Sequence, residues 1–223
     1  MADMILLGHR GAPHWAPENT MASFRRAMEL GADGFEFDVR RSADGRLVVV
    51  HDPRARSRVV SHTPAALLGL PLLEDVLREF SSAWLDIELK VPGIERPVLD
   101  LAARYLKPER HVVTSFRSKV VRELKRLSPA SLAGLLFKRP FFHFPRWAEK
   151  PHLDFLAPHR SVLTPRLCRA ARERGLGIIT WTVNTPASMR RAREMNVDVV
   201  ITDFPGRRKT SFPLSLDSIG RLA

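Results

Sequence analysis

Short β-rich runs alternate with helix-sized stretches along nearly the whole chain of 223 residues. The pattern predicts nine strands, one of which is the return arm of a hairpin, while the other eight alternate with helices or helix-sized links. This alternation is typical of a TIM (β/α)₈ barrel rather than an open sheet. The predicted strands cover residues 5–9, 34–40, 47–51, 84–90, 111–115, 132–137, 153–157, 177–183 and 199–202.

Helix start and stop signals separate these strands. Asn19 or Thr20 can cap the first helix, and Gly31 can end it in the left-handed conformation. Ser118 can cap a later helix. The predicted helices cover residues 20–30, 72–80, 97–105, 118–127, 164–175 and 185–196, and residues 142–150 carry a poor helical pattern.

The link between the second and third strands is short and contains the turn signal Ser42-Ala43-Asp44-Gly45. A parallel crossover needs about a dozen residues or more, so these two strands should form an antiparallel hairpin. In a simple register, the hairpin brings Glu36 near His51. No repeat or linker divides the chain, so we expect one domain over residues 1–223, with a loose tail at 206–223.

The chain is strongly basic, with a formal net charge of +12 and a pI of about 11.0. The positive residues are spread along it and mostly fall in predicted helices, so we expect no nucleic-acid partner. A positive field would instead attract a small phosphate-bearing substrate or, weakly, an anionic membrane surface. The single cysteine, Cys168, excludes an internal disulfide and a thiolate metal cluster.

Two further features concern the location of the protein. No apolar run approaches the roughly 20 residues of a membrane span. The first seven residues are too short and too acidic for a signal peptide. We therefore expect a soluble cytoplasmic protein, and the sequence leaves its oligomeric state open.

Carboxylates lie two residues apart in two of the predicted strands. Glu36 and Asp38 share one face of their strand, and Asp86, Glu88 and Lys90 share one face of theirs. Charges inside a barrel are costly unless they are paired or bound to a metal. A plain Glu88–Lys90 pair is one interpretation. Three inward acids, Glu36, Asp38 and Glu88, favour a divalent cation, either Mg²⁺ or Ca²⁺.

Two histidines end strands beside these acids. An unperturbed imidazole titrates at about pH 6.5, so His9 and His51 could give and take a proton near neutral pH. A guanidinium can grip phosphate oxygens in a fork, which suits Arg10 once the turn at Gly11 redirects it. Lys90 can add a second cation. Acids, histidines and an arginine at strand ends suit metal-assisted chemistry on a phosphate.

Four further residues are candidates for supporting roles. Glu18 can orient His9 or Arg10, or act only as a favourable charge at a helix N-terminus. Phe116 and Trp181 can form an apolar wall for an alcohol or glycerol group, or pack in the core. Asp203 should support Arg10 or another residue at the mouth of the barrel.

With these residues in place, the sequence resembles the glycerophosphodiester phosphodiesterase family. The resemblance implies a TIM-barrel enzyme that converts glycerophosphodiesters to sn-glycerol 3-phosphate and an alcohol. It also implies a divalent metal on Glu36, Asp38 and Glu88, acid–base roles for His9 and His51, and phosphate contacts from Arg10 and Lys90. The matching motifs are His9-Arg10-Gly11, Pro17-Glu18-Asn19-Thr20, Gly31-Ala32-Asp33, Glu36-Phe37-Asp38-Val39, Asp44-Gly45, Val49-Val50-His51-Asp52, Glu88-Leu89-Lys90, Trp181-Thr182-Val183-Asn184 and Thr202-Asp203.

The chain departs from the family pattern in one segment. Family members often carry a longer cap over the barrel mouth after the His-Asp motif, whereas residues 53–70 form only a reduced cap here. A more open mouth could admit lysophospholipids, which gives a lysophospholipase D-type activity as an alternative function. A non-catalytic barrel that binds phosphate or polyanions is a second alternative, motivated by charge alone.

Overall fold

The computed structural model describes residues 4–139, Ala148 and residues 152–208. The strands are β1 (Ile5–His9), β2 (Gly34–Arg41), β3 (Leu47–Val49), β4 (Arg54–Ala55), β5 (Arg58–Val59), β6 (Trp84–Leu89), β7 (His111–Ser115), β8 (Ala133–Phe137), β9 (Phe155–Pro158), β10 (Gly177–Thr180) and β11 (Val199–Thr202). The parallel strands β1, β2 and β6 to β11 pair in chain order, and β11 pairs with β1. The sheet is therefore closed, and the predicted TIM barrel is confirmed.

Helices cover the outside of the barrel between its strands. They are α1 (Met21–Glu29), α3 (Leu73–Glu79), α4 (Glu95–Tyr105), α5 (Ser118–Leu127), α6 (Pro165–Arg172) and α7 (Pro186–Glu194), whereas α2 (Ala65–Leu68) lies between β5 and α3. The helical pattern predicted at 142–150 and the tail beyond residue 208 lie outside the described residues, apart from Ala148. No helix among the described residues is long and apolar enough to cross a membrane.

The first helix begins and ends where local sequence signals place it. The Thr20 hydroxyl caps α1 by accepting a hydrogen bond from Ser23 N at 3.2 Å, and Gly31 ends the helix at φ +88°. The cap predicted at Ser118 is wrong, because α5 begins at Ser118 and Arg117 occupies the cap position. Arg117 N donates to Ser115 Oγ at 3.2 Å, so the chain already turns one residue earlier.

The predicted hairpin forms between β2 and β3, where Val39 pairs antiparallel with Val49. The strand β3 ends at Val49, two residues earlier than predicted. The Arg40 guanidinium accounts for this end, since it donates two hydrogen bonds to the carbonyl oxygen of His51, at 2.9 and 2.7 Å. His51 is therefore held by a side chain rather than by the strand ladder.

The reduced cap is a small folded unit. It comprises β4 paired with β5, a 3₁₀ turn at Val60–His62, and α2. These elements pack over a small apolar cluster formed by Val48, Val60, Ala65 and Leu68. This cluster gives the cap a small apolar core of its own.

The inside of the barrel is divided between an apolar layer and a charged layer. Alternate residues of β6, Leu85, Ile87 and Leu89, pack in the main core between strands and helices. A separate apolar cluster fills the inside of the barrel with Leu7, Trp84, Val112, Leu136, Ala157, Ile179, Val199 and Ile201. The charged residues of β2 and β6 follow toward the carboxyl ends of the strands, which is the end where active sites of such barrels lie.

Candidate active site

Strand pairing places the predicted acids side by side. His9 pairs with Glu36, and Asp38 pairs with Glu88, so these residues occupy three adjacent strands. Glu36, Asp38 and Glu88 are all buried, and each offers one oxygen atom within 4.8 Å of the oxygens offered by the other two. The structure therefore brings together the three carboxylates that the spacing of two residues placed on one face.

The charge of this carboxylate cluster is not balanced by its neighbours. Burial raises the pKa of Glu36 well above its ordinary value, and the negative charge of Asp38 raises it further. Burial, followed by Asp38, also raises the pKa of Glu88. Lys90 Nζ lies 2.6 Å from a Glu88 oxygen, so the plain Glu88–Lys90 pair is present as well. Lys90 and Arg10, whose Nε lies 3.3 Å from Asp38 Oδ2, supply two positive charges against three buried carboxylates.

A second observation shows that the cluster is suited to a cation. Asp38 Oδ1 is buried and has no hydrogen-bond partner among the described residues, although Lys90 Nζ lies 3.3 Å away. Carboxylate oxygens are the hard donors that Mg²⁺ and Ca²⁺ prefer. Glu36, Asp38 and Glu88 are thus the residues that could hold a divalent ion.

Arg10 reaches the cluster because the chain reverses after β1. The reversal involves Arg10 itself at φ +53° together with Gly11 at φ +94°, whereas the sequence predicts a turn at Gly11 alone. A Cβ atom on Gly11 would lie 2.4 Å from Ser23 Oγ, so this position requires glycine. Arg10 N donates to Glu36 Oε2 at 3.0 Å, which fixes the carboxylate from the backbone.

The Arg10 guanidinium lies between two acids. It donates to Glu18 Oε1 at 2.8 Å, and its Nε lies 3.3 Å from Asp38 Oδ2. Burial lowers the pKa of Arg10, but Asp38, Glu36 and Glu18 raise it by more, so the side chain stays charged. Of the two partners considered for Glu18, the structure places Arg10, and not His9, in contact with it.

Both predicted histidines have a carboxylate on Nδ1. His9 Nδ1 lies 2.7 Å from Asp203 Oδ1, and His51 Nδ1 lies 2.7 Å from Asp52 Oδ1. His9 Nε2 is 3.9 Å from Glu36 Oε2. Asp203 therefore supports His9, one of the mouth residues considered, and not Arg10. A carboxylate on Nδ1 orients the ring and leaves Nε2 for proton transfer.

Three residues that the sequence analysis did not place in the site hold it together. The Asn19 amide donates to Asp38 Oδ2 at 2.8 Å, a role beyond the helix cap that its position in the sequence predicts. Asn184 hydrogen-bonds to the Asp203 carboxylate and accepts from Asp203 N at 2.9 Å. Arg40 binds the His51 carbonyl as described above. Asn19 and Asn184 belong to the motifs that carry the family resemblance, and membership in these motifs is the sequence feature that points to a role in the site.

One cavity joins these groups to an aromatic wall. His9, His51, Glu36 and Glu88 line one part of it. Phe116, Trp181 and Lys138 line the opposite part. Phe116 is 43% exposed, whereas Trp181 is half-buried and also packs against the apolar cluster inside the barrel.

Asp86 lies at the floor of this cavity and gives a pH-dependent prediction. Thr114 Oγ1 donates to Asp86 Oδ1 at 2.7 Å, while burial raises the pKa of Asp86 from 3.8 to about 8. Between pH 3.8 and about 8 the folded chain keeps a proton on Asp86 that the unfolded chain has lost. The free energy of unfolding therefore falls as the pH rises through this range, and the loss is complete above about 8. In chelator, Asp86→Asn should therefore raise the Tm relative to the unsubstituted protein by several degrees at pH 9 and much less at pH 5.

Thermal melting at both pH values provides the check for Asp86. The matched control is Asp100→Asn, because Asp100 is 65% exposed on α4. This control should give the same small change in Tm at both values. An equal change in Tm for Asp86→Asn at pH 5 and pH 9 would contradict the expected titration.

Comparison with known proteins gives a consistent set of relatives. The profile of the Glycerophosphoryl diester phosphodiesterase family matches residues 9–66 and 55–207. The chain is 30% identical over 229 residues to the glycerophosphodiester phosphodiesterase of Caldanaerobacter subterraneus subsp. tengcongensis, covering 90% of this chain and 94% of that protein.

Solved structures show the same barrel. The crystal structure of a glycerophosphodiester phosphodiesterase from Thermotoga maritima superposes with a TM-score of 0.81 at 26% identity, covering 93% of this chain and 98% of that one. The corresponding enzyme structure from Parabacteroides distasonis gives a TM-score of 0.80 at 27% identity, with 92% and 94% covered. The chain is thus similar to these proteins over nearly its whole length.

Proposed function

This chain belongs to the glycerophosphoryl diester phosphodiesterase family, and we propose that it hydrolyses glycerophosphodiesters to sn-glycerol 3-phosphate and an alcohol, with His9 and His51 as its acid–base pair. The observation that carries this proposal is the convergence of Glu36, Asp38 and Glu88 beside a cavity that Glu36, Glu88 and both histidines line. A non-catalytic phosphate binder has no need of three buried carboxylates, which argues against that alternative.

The roles of the histidines follow from their contacts. An alkoxide is a poor leaving group, so one imidazole protonates the departing oxygen while the other removes a proton from the nucleophile. Asp203 and Asp52 hold the two rings through Nδ1, so that each Nε2 remains available to the substrate. Asp203 also stabilises the imidazolium that forms on His9 during proton transfer.

The cations of the site bind the phosphate. Arg10 and Lys90 both line the cavity, and Glu18, Asp38 and Glu88 hold them in place. Positive groups held in place before reaction stabilise the charge that builds up on phosphorus-bound oxygens. A divalent ion, Mg²⁺ or Ca²⁺, held by Glu36, Asp38 and Glu88 would supply further positive charge for the same oxygens.

A panel of diesters provides the test of this function. Glycerophosphoglycerol, glycerophosphoserine and glycerophosphocholine are each incubated with the protein and added divalent ion, and the products are separated. We expect sn-glycerol 3-phosphate and the free alcohol in each case, with little or no product in excess chelator. Turnover of none of these diesters at any divalent-ion concentration would contradict the proposal.

Heavy-oxygen water resolves how phosphorus is attacked. One labelled oxygen enters the sn-glycerol 3-phosphate by either route, but if water attacks directly no unlabelled cyclic phosphate appears beforehand. If the neighbouring glycerol hydroxyl attacks first, a cyclic phosphate accumulates at early times before it is hydrolysed. Mass spectrometry of the products at early times separates the two routes, and both are consistent with the roles of His9 and His51.

A second candidate function is supported by the small size of the cap and by an exposed aromatic ring. Besides the small cap described above, the exposed ring of Phe116 offers an apolar contact beside the cavity. This arrangement suits a lysophospholipid, whose acyl chain would leave the barrel through the mouth. Comparing kcat/KM for glycerophosphocholine and lysophosphatidylcholine isolates the acyl chain, because the alcohol is the same in both.

A further inference from the structure

Two aromatic rings stand at right angles at the mouth of the cavity. The ring centroids of Phe116 and Trp181 are 5.4 Å apart, and their planes meet at 87°. Trp181 Nε1 donates to the carbonyl oxygen of Ala157 at 2.9 Å, which fixes the indole. Aromatic rings that converge in this way commonly enclose a quaternary ammonium such as choline.

Here both rings already face cations of the protein itself. Lys138 Nζ lies 5.2 Å from the centroid of the Trp181 ring, and Lys90 Nζ lies 5.8 Å from the centroid of the Phe116 ring. A bound choline group would have to displace these ammonium groups or sit beside them. The aromatic pair is therefore unsuited to a cationic group, despite its geometry.

The charges around the cavity are unevenly distributed. The acidic residues that line it come from β2 and β6, namely Glu36, Asp86 and Glu88. Lys90 forms ion pairs with Glu88 and Asp38, whereas Lys138 forms no ion pair with a carboxylate among residues 4–139, Ala148 and 152–208. Among these described residues, the Lys138 ammonium is thus a positive charge at the mouth without a carboxylate partner.

We propose that this side of the mouth binds the alcohol substituent of the diester, and that Lys138 selects substituents carrying negative charge over cationic ones. The inference rests on the proposed function and adds the substrate class. Lys138 directly follows β8 and is exposed, so a substituent that extends from the cavity toward solvent can reach it. A substituent with a second phosphate would meet the Lys138 ammonium, while choline would meet like charge.

The test compares two substrates in two variants of the full chain. Bis(glycerophospho)glycerol carries a second phosphate in its substituent, and glycerophosphocholine carries a quaternary ammonium. We expect the protein to prefer the first, and Lys138→Met to lower the ratio of the two kcat/KM values by about three- to tenfold at low salt. Lys138→Arg, which keeps the charge, should preserve most of the ratio.

The matched control is Lys107→Met, an exposed lysine just before β7 at the opposite end of the barrel. It removes the same charge from the basic chain, so it should leave the ratio unchanged. An unchanged ratio in Lys138→Met, or an equal fall in Lys107→Met, would overturn the inference while the hydrolase function stands. Failure of the unsubstituted protein to turn over either diester would overturn the proposed function itself.

Discussion

Replacement of His9 by alanine should lower kcat for glycerophosphodiester hydrolysis by about 10²- to 10⁴-fold, and His51→Ala should lower it by a similar factor. Each change removes one of the two groups that move a proton during the reaction. KM should change much less, because Arg10 and Lys90 still bind the phosphate. Steady-state kinetics with added divalent ion measures both constants.

The control for this prediction is a histidine outside the cavity. His62 is exposed at the end of the 3₁₀ turn in the reduced cap, so His62→Ala should keep nearly full activity. An unchanged kcat in both His9→Ala and His51→Ala would contradict the acid–base roles of these two histidines. A loss confined to one variant would leave a single proton-transfer group.

Replacement of Glu36 by glutamine should abolish the response to divalent ions and lower activity at least about 100-fold, because one of three anionic ligands is lost. The stability of the metal-free protein should not fall. Glu36 is buried among like charges, so a neutral isostere relieves repulsion, and its amide oxygen can still accept the hydrogen bond from Arg10 N.

Thermal melting separates the two effects of Glu36→Gln. With ion at a hundredfold excess over its Kd, the free energy of unfolding of the unsubstituted protein should rise by about 2.7 kcal/mol, which corresponds to a rise in Tm of about 5–10 °C. The ion should raise the Tm of Glu36→Gln only slightly, and it should raise the Tm of the exposed control Glu29→Gln by the full amount. An equal ion-dependent rise in Tm for Glu36→Gln would place the ion elsewhere.

Regular periodicity accounts for what could be predicted from the sequence. Side chains two residues apart in a strand share a face, and parallel strands of a barrel bring their carboxyl ends together. These two rules suffice to place Glu36, Asp38 and Glu88 at one site. The short link with its turn signal was likewise enough to predict the hairpin that carries His51 to the cavity.

Contacts between distant residues account for what could not be predicted. Asp203 is 194 residues from His9 in the chain, so no local pattern identifies which mouth residue it supports. The early end of β3 depends on the long Arg40 side chain, which strand periodicity does not describe. The raised pKa of Asp86 depends on complete burial behind the acids of the site, which is a property of the folded barrel.

The most direct test of the central claim is the hydrolysis rate of glycerophosphoglycerol in protein stripped by chelator, followed as Mg²⁺ or Ca²⁺ is added back. The account predicts negligible hydrolysis in the stripped protein, saturation at one ion bound per chain, and no recovery of activity in Glu36→Gln. Full activity in the stripped protein, or equal recovery in Glu36→Gln, would contradict a metal-dependent site built from Glu36, Asp38 and Glu88.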